Sequence, residues 1–303
     1  MSPLLFIYNP TAGKGDIARH LGQIIEILSR YGWLVTAYPT ERKGDGADVV
    51  RRIGIQYERI ICAGGDGTLS EIASQLMELD HPPPLGYIPF GSTNDSANTF
   101  QLPKDLSKAV QVAAGGRVEF QDMGLFNESP FLYVAAFGAF ASVSYGVPQE
   151  LKNMLGSIAY VMQGVASLPT ITPHKMKVEI DGHVIEDEFL YGMVCNTYTV
   201  GGLKALSPDL VALDDGLFEV VLVRKEDGIN AVFRALQSLV LQTPFENGSI
   251  LSFRAKELTF TSENNVPWTL DGEFGGEEKV NHIQNIHCAI KVVQGSPIKV
   301  VKS

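Results

Sequence analysis

The chain is poor in cysteine, short of cations, and has no apolar run long enough to cross a bilayer. Its three cysteines, Cys62, Cys195 and Cys288, are odd in number, widely spaced and flanked by apolar residues. That pattern argues against a disulfide framework or a thiolate metal site and reads as buried core thiols. Lysine and arginine number 24 against 34 aspartates and glutamates, a formal net charge of -10. Phosphate backbones call for clustered cations, so nucleic acid is excluded as a partner, as is docking on anionic lipid through a broad polybasic patch. The longest weakly polar stretch, residues 131–147, is broken by Gly138 and Gly146, and it falls short of the roughly 20 apolar residues a span needs. The first apolar run meets Asn9-Pro10 at once, unlike a secretory leader, so a cytoplasmic protein is expected. The six histidines, among them His20, His174 and His287, show no metal-ligand spacing and read as surface or core residues. Neither a Walker loop nor the G-x-G-x-x-G dinucleotide fingerprint is present.

What the chain does have is glycine at strand-to-helix junctions. Ala63-Gly64-Gly65-Asp66-Gly67-Thr68-Leu69-Ser70-Glu71 follows the apolar run Arg59-Ile60-Ile61-Cys62 and opens an amphipathic segment. Glycines let backbone approach a phosphate closely, and the N–H groups at a helix start favour negative charge. The charged residue inside this loop is an aspartate, where a Walker loop has a lysine. Two more junctions have the same form. Residues 4–8 run into Asn9-Pro10-Thr11-Ala12-Gly13-Lys14-Gly15, after which Ile17, Leu21, Ile24, Ile25 and Leu28 keep helical spacing. Residues 85–90 run into Gly91-Ser92-Thr93-Asn94-Asp95. In an open parallel sheet such loops gather at the carboxyl edge, where ligands bind.

With 303 residues, 45% of them hydrophobic and 19% charged, the chain is an ordinary globular composition long enough for two domains. The first 120 or so residues alternate strand and helix patterns, with strands at 33–38, 59–62 and 85–90 and helices at 47–53, 69–79 and 106–114. This alternation implies a parallel sheet wrapped by helices. From Val118 the pattern changes to short strands at 131–137, 175–180, 189–196, 217–223, 257–261 and 287–293, with helical breaks near 151–168 and 230–241. Strands separated by turn signals argue for a β-sandwich-like second domain. The expected fold is therefore α/β: an N-terminal parallel-sheet nucleotide-binding domain plus a C-terminal β-sandwich-like domain. Glu263-Asn264-Asn265 and Glu277-Glu278-Lys279 read as solvated loops.

These pieces resemble the bacterial diacylglycerol kinase and sphingosine kinase superfamily of lipid kinases. The matching stretches are Asn9-Pro10 to Gly15, Gly64 to Glu71, Gly91 to Asp95, Leu213-Asp214-Asp215-Gly216-Leu217 and Asp271-Gly272-Glu273. They occur in the family's order and span nearly the whole chain, although a G-G-D-G-T loop alone is shared with nicotinamide dinucleotide kinases. The resemblance implies transfer of the γ-phosphoryl group of Mg2+-ATP to a lipid hydroxyl, with diacylglycerol as the first expectation. A kinase of a soluble hydroxyl compound such as NAD, and a non-catalytic nucleotide- or lipid-binding regulator, are the alternatives. It implies an ATP-binding domain at residues 1–122, completed by the tail 294–303 through Pro297 to Val301, and a lipid-binding domain at 123–293. It implies a peripheral, transient contact with the inner membrane face. The sequence leaves a homodimer open.

By the same resemblance Asn9, Lys14, Thr40, Gly65, Asp66, Gly67, Thr68, Leu69, Ser70, Glu71 and Ser92 fall to ATP. The third loop reads Gly-Ser where relatives have Gly-Thr, which keeps the hydroxyl. Lys14 is read either as a phosphate ligand or as a solvated lysine at a helix start, and Asp66 either as an N-terminal helix residue or as part of the Mg2+-ATP network. Asp215, with the carbonyls of Ala212 and Leu217, looks like a magnesium site, and Asp214 faces solvent or joins the nucleotide's network. Asp271 is favoured as the base that accepts the lipid hydroxyl proton, with Glu273 close behind. If the chain is extended there, the two carboxylates share a face; the competing reading is an Asp-Gly hairpin turn. The acyl-chain pocket is expected around Lys152 to Gly156 with Ala159 and Tyr160. Where relatives carry Gly-x-Gly-x-Asp, this chain has Phe137-Gly138-Ala139-Phe140-Ala141-Ser142, which removes a carboxylate near the acceptor.

Overall fold

The computed structural model describes residues 1–138, 172–200, 203–204, 211–225, 248 and 250–295, with the backbone alone for Lys14, Val200, Leu203 and Lys204. The helices expected at 151–168 and 230–241, the acyl-pocket segment and the return at 297–301 lie outside these residues. The chain divides into two units, Met1–Gln121 with Cys288–Ser303, and Asp122–His287. The first unit is thus completed from Cys288, earlier than the expected residue 294. The reason is that one strand, β15 below, carries the chain back without a break.

In the first unit the order is β1 (Ser2–Tyr8), α1 (Ile17–Arg30), β2 (Trp33–Pro39), α2 (Asp45–Ile53), β3 (Arg59–Gly64), α3 (Asp66–Met77), β4 (Leu85–Pro89), α4 (Asp95–Thr99), α5 (Leu106–Gly115) and the start of β5 (Arg117–Phe126). A 3-10 turn at Ala12–Gly15 precedes α1. β1 pairs in parallel with β2 and β3, and β3 with β4. Leu4, Leu5, Phe6 and Ile7 are all fully buried; side chains alternate along a strand, so both faces of β1 are covered, as expected for a central parallel strand. Leu4, Phe6, Ile61, Ala63 and Ile88 form one core with Ile17, Ile24 and Leu28 of α1 and Val110, Ala113 and Ala114 of α5. Helix starts and ends follow local chemistry. Asp105 accepts the Lys108 N–H at 2.9 Å as the N-cap of α5. At the other end of α5, the buried Arg59 guanidinium donates to the carbonyls of Ala113 and Ala114 at 3.1 and 2.7 Å, a cation at the negative end of the helix dipole.

The second unit holds the rest of β5, β6 (Ser129–Phe131), β7 (Val134–Gly138), β8 (His174–Ile180), β9 (His183–Cys195), the two short strands β10 (Thr199–Val200) and β11 (Leu203–Lys204), β12 (Phe218–Arg224), β13 (Ile250–Ala255), β14 (Glu257–Leu270) and most of β15 (Glu273–Gln294). Two strands do double duty. β9 pairs with β8 through residues 183–189 and with β7 through 191–195; β14 pairs with β8 through 258–262 and with β7 through 268–270. β9, β7, β14 and β8 therefore close a ring around a core of Phe137, Phe189, Phe260, Trp268, Met176 and Val178. Gly192 sits where β9 changes partner. A Cβ there would lie 2.1 Å from the Phe137 ring, so only glycine admits that ring across the strand. The stretches 263–265 and 277–279, read as loops from their polarity, are strand: they are exposed parts of β14 and β15, where the ladder shifts register between Thr261 and Val266 and runs past the core. Among the described residues no helix is long and apolar enough to cross a membrane.

Candidate active site

The glycine loops of the first unit are brought together by the sheet itself. The ladder continues one bond beyond the strands, with Asn9 N–H donating to Ala63 O at 2.9 Å, Phe90 N–H to Gly64 O at 2.7 Å and Thr40 N–H to Tyr8 O at 2.9 Å. The ends of β1, β2, β3 and β4 thus lie along the carboxyl edge, the ligand-binding edge of such a sheet. Asn9 shapes its own loop, its Oδ1 accepting the Thr11 N–H and hydroxyl at 3.0 and 2.8 Å. Gly13 has φ +59°, and a Cβ on it would stand 3.0 Å from Phe90 O. A Cβ on Gly91 would stand 2.8 Å from the Gly65 Cα, whereas one on Gly65 would make ordinary contact with Gly91 at 3.5 Å. The second and third loops therefore touch backbone to backbone at Gly65 and Gly91, and the first meets the third at Gly13 and Phe90. α3 starts at Asp66, and its N-cap, Gly65, has no side chain with which to cap the first turn, so the N–H groups of that turn are candidate anion donors. This edge fits the phosphates of a nucleotide.

The sequence-derived nucleotide residues divide by position. Gly67 and Ser92 are exposed, Gly65, Thr68 and Ser70 half-buried, and Leu69 is a core side chain, so only its backbone is offered to a ligand. The Asp66 carboxylate accepts the N–H groups of Asp95 and Ser96, both at 3.1 Å, and so ties the second loop to α4. Glu71 accepts the N–H groups of Gly44 and Ala47 at 3.0 and 3.1 Å, which caps α2. Lys14 lies in the 3-10 turn, and its side chain lies outside the described residues.

In the second unit, Asp271-Gly272 is not extended. Leu270 pairs with Glu273, and the two residues between them have φ +50° and +82°, the left-handed pair a two-residue I′ hairpin turn demands. Asp271 and Glu273 consequently differ in surroundings. The Asp271 Oδ1 accepts the N–H groups of Tyr133 and Val134 at 2.9 and 3.1 Å, and its Oδ2 accepts that of Leu132 at 2.7 Å. Its own N–H donates to Val134 O at 2.8 Å, and the Tyr133 hydroxyl donates to its carbonyl at 3.0 Å. This is a clamp between the hairpin and the turn entering β7. Glu273, on the far side of the turn, is exposed.

Asp215 also lies on a turn, Asp214-Asp215-Gly216, with Gly216 at φ +77°. Two residues outside the sequence motifs shape it. The fully buried Asp122 accepts the Gly216 N–H at 2.6 Å while its own N–H donates to Leu213 O at 2.7 Å. His287 Nε2 lies 2.8 Å from Asp214 O. The Asp215 carboxylate accepts the Leu217 N–H at 3.1 Å through Oδ1 and is ion-paired to Arg254 through Oδ2. Arg254 Nε also stands 3.3 Å from Glu219 Oε1. Glu219 is buried, neither of its oxygens has a hydrogen-bond partner, and burial pushes its carboxyl up to about 8, Arg254 pulling against burial and Asp215 adding to it. The Asp215 carboxylate and the backbone carbonyls of Ala212 and Leu217, on the same stretch of chain, are oxygen-only donors of the kind that suits a hard cation such as Mg2+. Arg254 already sits against both Asp215 and Glu219, so the residues fit the ion provided Arg254 gives way. Arg254, Glu219, Asp122 and His287 were not legible as site residues. Glu219 and Arg254 meet only because β12 and β13 pair with these two directly opposite.

The family described as diacylglycerol kinase catalytic domain matches residues 3–126, and the YegS C-terminal NAD kinase beta sandwich-like domain matches residues 134–294. A diacylglycerol kinase of Bacillus subtilis (strain 168) is 33% identical over 290 residues, covering 94% of this chain and 95% of the relative. One from Staphylococcus carnosus (strain TM300) is 32% identical, covering 97% and 95%. A crystal structure of a diacylglycerol kinase from Bacillus anthracis str. Sterne superposes with a TM-score of 0.77 over 97% of both chains at 23% identity, a likeness of fold. A second solved chain from that organism aligns with a TM-score of 0.86 at 27% identity, over 97% of this chain and 95% of its own.

Proposed function

The chain belongs to the diacylglycerol kinase family and is a lipid kinase, and from that premise we propose that it transfers the γ-phosphoryl group of ATP to the free hydroxyl of diacylglycerol, forming phosphatidic acid. The observation that supports the nucleotide half is the backbone contact of Gly65 and Gly91 beside the start of α3, whose N-cap is a glycine with no side chain to cap its first turn. Asn9, Thr40, Gly65, Gly67 to Ser70 and Ser92 bind the nucleotide in this reading, with Lys14 as the candidate cation, while Asp66 and Glu71 hold the loops in place. Bound Mg2+ supplies charge neutralisation on the phosphates, and Asp215 with the Ala212 and Leu217 carbonyls is the set that would hold a further Mg2+.

For the base, the geometry favours Glu273 over Asp271. Three backbone N–H groups occupy the Asp271 carboxylate oxygens, which commits that side chain to holding the hairpin. Glu273 is exposed on the same hairpin and takes the hydroxyl proton as the oxygen attacks phosphorus. The acceptor is a membrane lipid, so the enzyme works at a bilayer surface by transient contact from the cytoplasmic side.

Transfer of labelled γ-phosphate from Mg2+-ATP to mixed micelles of diacylglycerol, monoacylglycerol, a sphingoid base or phosphatidylglycerol tests the acceptor, with NAD as a soluble arm. Label in phosphatidic acid alone supports the proposal. Label in NAD and in no lipid overturns it.

A further inference from the structure

Asp215 and Glu219 share one guanidinium. Glu219 stands directly opposite Arg254 across β12 and β13, and from that position the side chain reaches Glu219 through Nε and Asp215 through Nη2. Its Nε thus faces a carboxylate that is 7% exposed, and its Nη2 a carboxylate on the surface turn. Glu219 is the unusual partner. It is nine-tenths buried, and Arg254 Nε approaches its Oε1 only to 3.3 Å, a contact that leaves neither oxygen with a full hydrogen bond. A buried carboxylate in that condition has capacity for a cation that it does not use fully.

We propose that Arg254 is a built-in counter-cation of the Asp215 site: a divalent cation binds Asp215 by displacing the guanidinium, which withdraws onto Glu219. The step is ligand exchange. Asp215 Oδ2 loses the guanidinium N–H and gains a metal bond, and Glu219 turns its long contact with Arg254 into a hydrogen-bonded pair. A metal on Oδ2, about 2.1 Å away, would set a double positive charge against the guanidinium, and that repulsion favours its withdrawal. Arg254 therefore sets how much free Mg2+ is needed to fill the site, and Glu219 sets how readily Arg254 leaves. The inference rests on the magnesium reading of Asp215 given above.

The test is Mn2+ binding to the full chain without nucleotide or lipid, read from the loss of the free-ion paramagnetic resonance signal, with Asp215→Asn as the blank. Arg254→Met keeps the aliphatic stem and removes the charge. It is expected to bind Mn2+ about 5–30-fold more tightly than wild type, the range given by removing a competing surface ion pair and a nearby positive charge. Arg254→Lys, which keeps the charge, is expected near wild type, and Glu219→Gln is expected to bind more weakly. Circular dichroism and thermal melting establish that each variant is folded. Wild-type affinity or weaker in Arg254→Met overturns the role of Arg254 and leaves the metal site standing. Equal binding by wild type and Asp215→Asn overturns the metal site and the role of Arg254 together.

Discussion

Asp271→Asn is expected to fail as a structural lesion before it fails as a catalytic one. The carboxylate receives three backbone N–H groups, two on Oδ1 at 2.9 and 3.1 Å and one on Oδ2 at 2.7 Å. An asparagine can keep the first two by presenting its carbonyl oxygen, but its amide then faces the Leu132 N–H, donor against donor. One charge-assisted bond is lost, worth about 1.5–3 kcal/mol, and the two that remain become neutral. The total is about 2–4 kcal/mol for the second unit, a drop in its melting temperature of roughly 5–10 °C for a unit of this size. Calorimetry of wild type and variant reads this shift, and kinase assays well below both midpoints read what activity the folded variant keeps. A variant that melts with wild type yet has lost all turnover would refute the clamp and return the base to Asp271. Glu273→Gln is the counterpart, with no stability change expected at an exposed side chain.

Gly91→Ala places a Cβ 2.8 Å from the Gly65 Cα, which must retreat; a loss of about 1–3 kcal/mol from overpacking is expected, together with weaker nucleotide binding by calorimetric titration. Gly65→Ala meets Gly91 only at 3.5 Å and is expected to leave stability unchanged, so equal melting of the two variants would contradict the packing of the loops. His174 opens β8 with its ring edge-on to Phe137 at 6.1 Å, and burial lowers its pKa below 6.5. The unfolded chain then holds more protons in the window below that value, so stability is lost as pH falls through it. Urea unfolding between about pH 7 and pH 5 is expected to show a shallower loss in His174→Phe, and identical slopes would contradict burial as the cause.

Much of the first unit is legible because its signals are local. The run Leu4–Ile7 is apolar at every position, which suits a strand covered on both faces, and glycines mark each place where a loop touches another loop. The second unit hides more. The stretch 263–265 looks like a loop because strand polarity depends on what the strand passes over, and there β14 runs past the core. Asp271-Gly272 carries a turn signal strong enough to have decided its conformation; the extended reading gave way because both residues take positive φ. The partners of Asp215 were beyond reach in the sequence. Arg254 comes to that turn through strand register, Asp122 and His287 through the first and last residues of the second unit, and no spacing along the sequence encodes either. Asp271 and Glu273 are both carboxylates of one three-residue motif, and the three N–H groups from residues 132–134 on Asp271 and the exposure of Glu273 separate them.

The most direct measurement is transfer of labelled γ-phosphate from Mg2+-ATP to diacylglycerol in mixed micelles by wild type and Glu273→Gln, with nucleotide affinity and melting temperature taken on the same preparations. The expected result is labelled phosphatidic acid from wild type and a fall of about 10²–10⁴-fold in Glu273→Gln, the usual contribution of a general base, with affinity and melting unchanged. Wild-type turnover by the glutamine variant, or no lipid labelled by the wild-type enzyme, would contradict it.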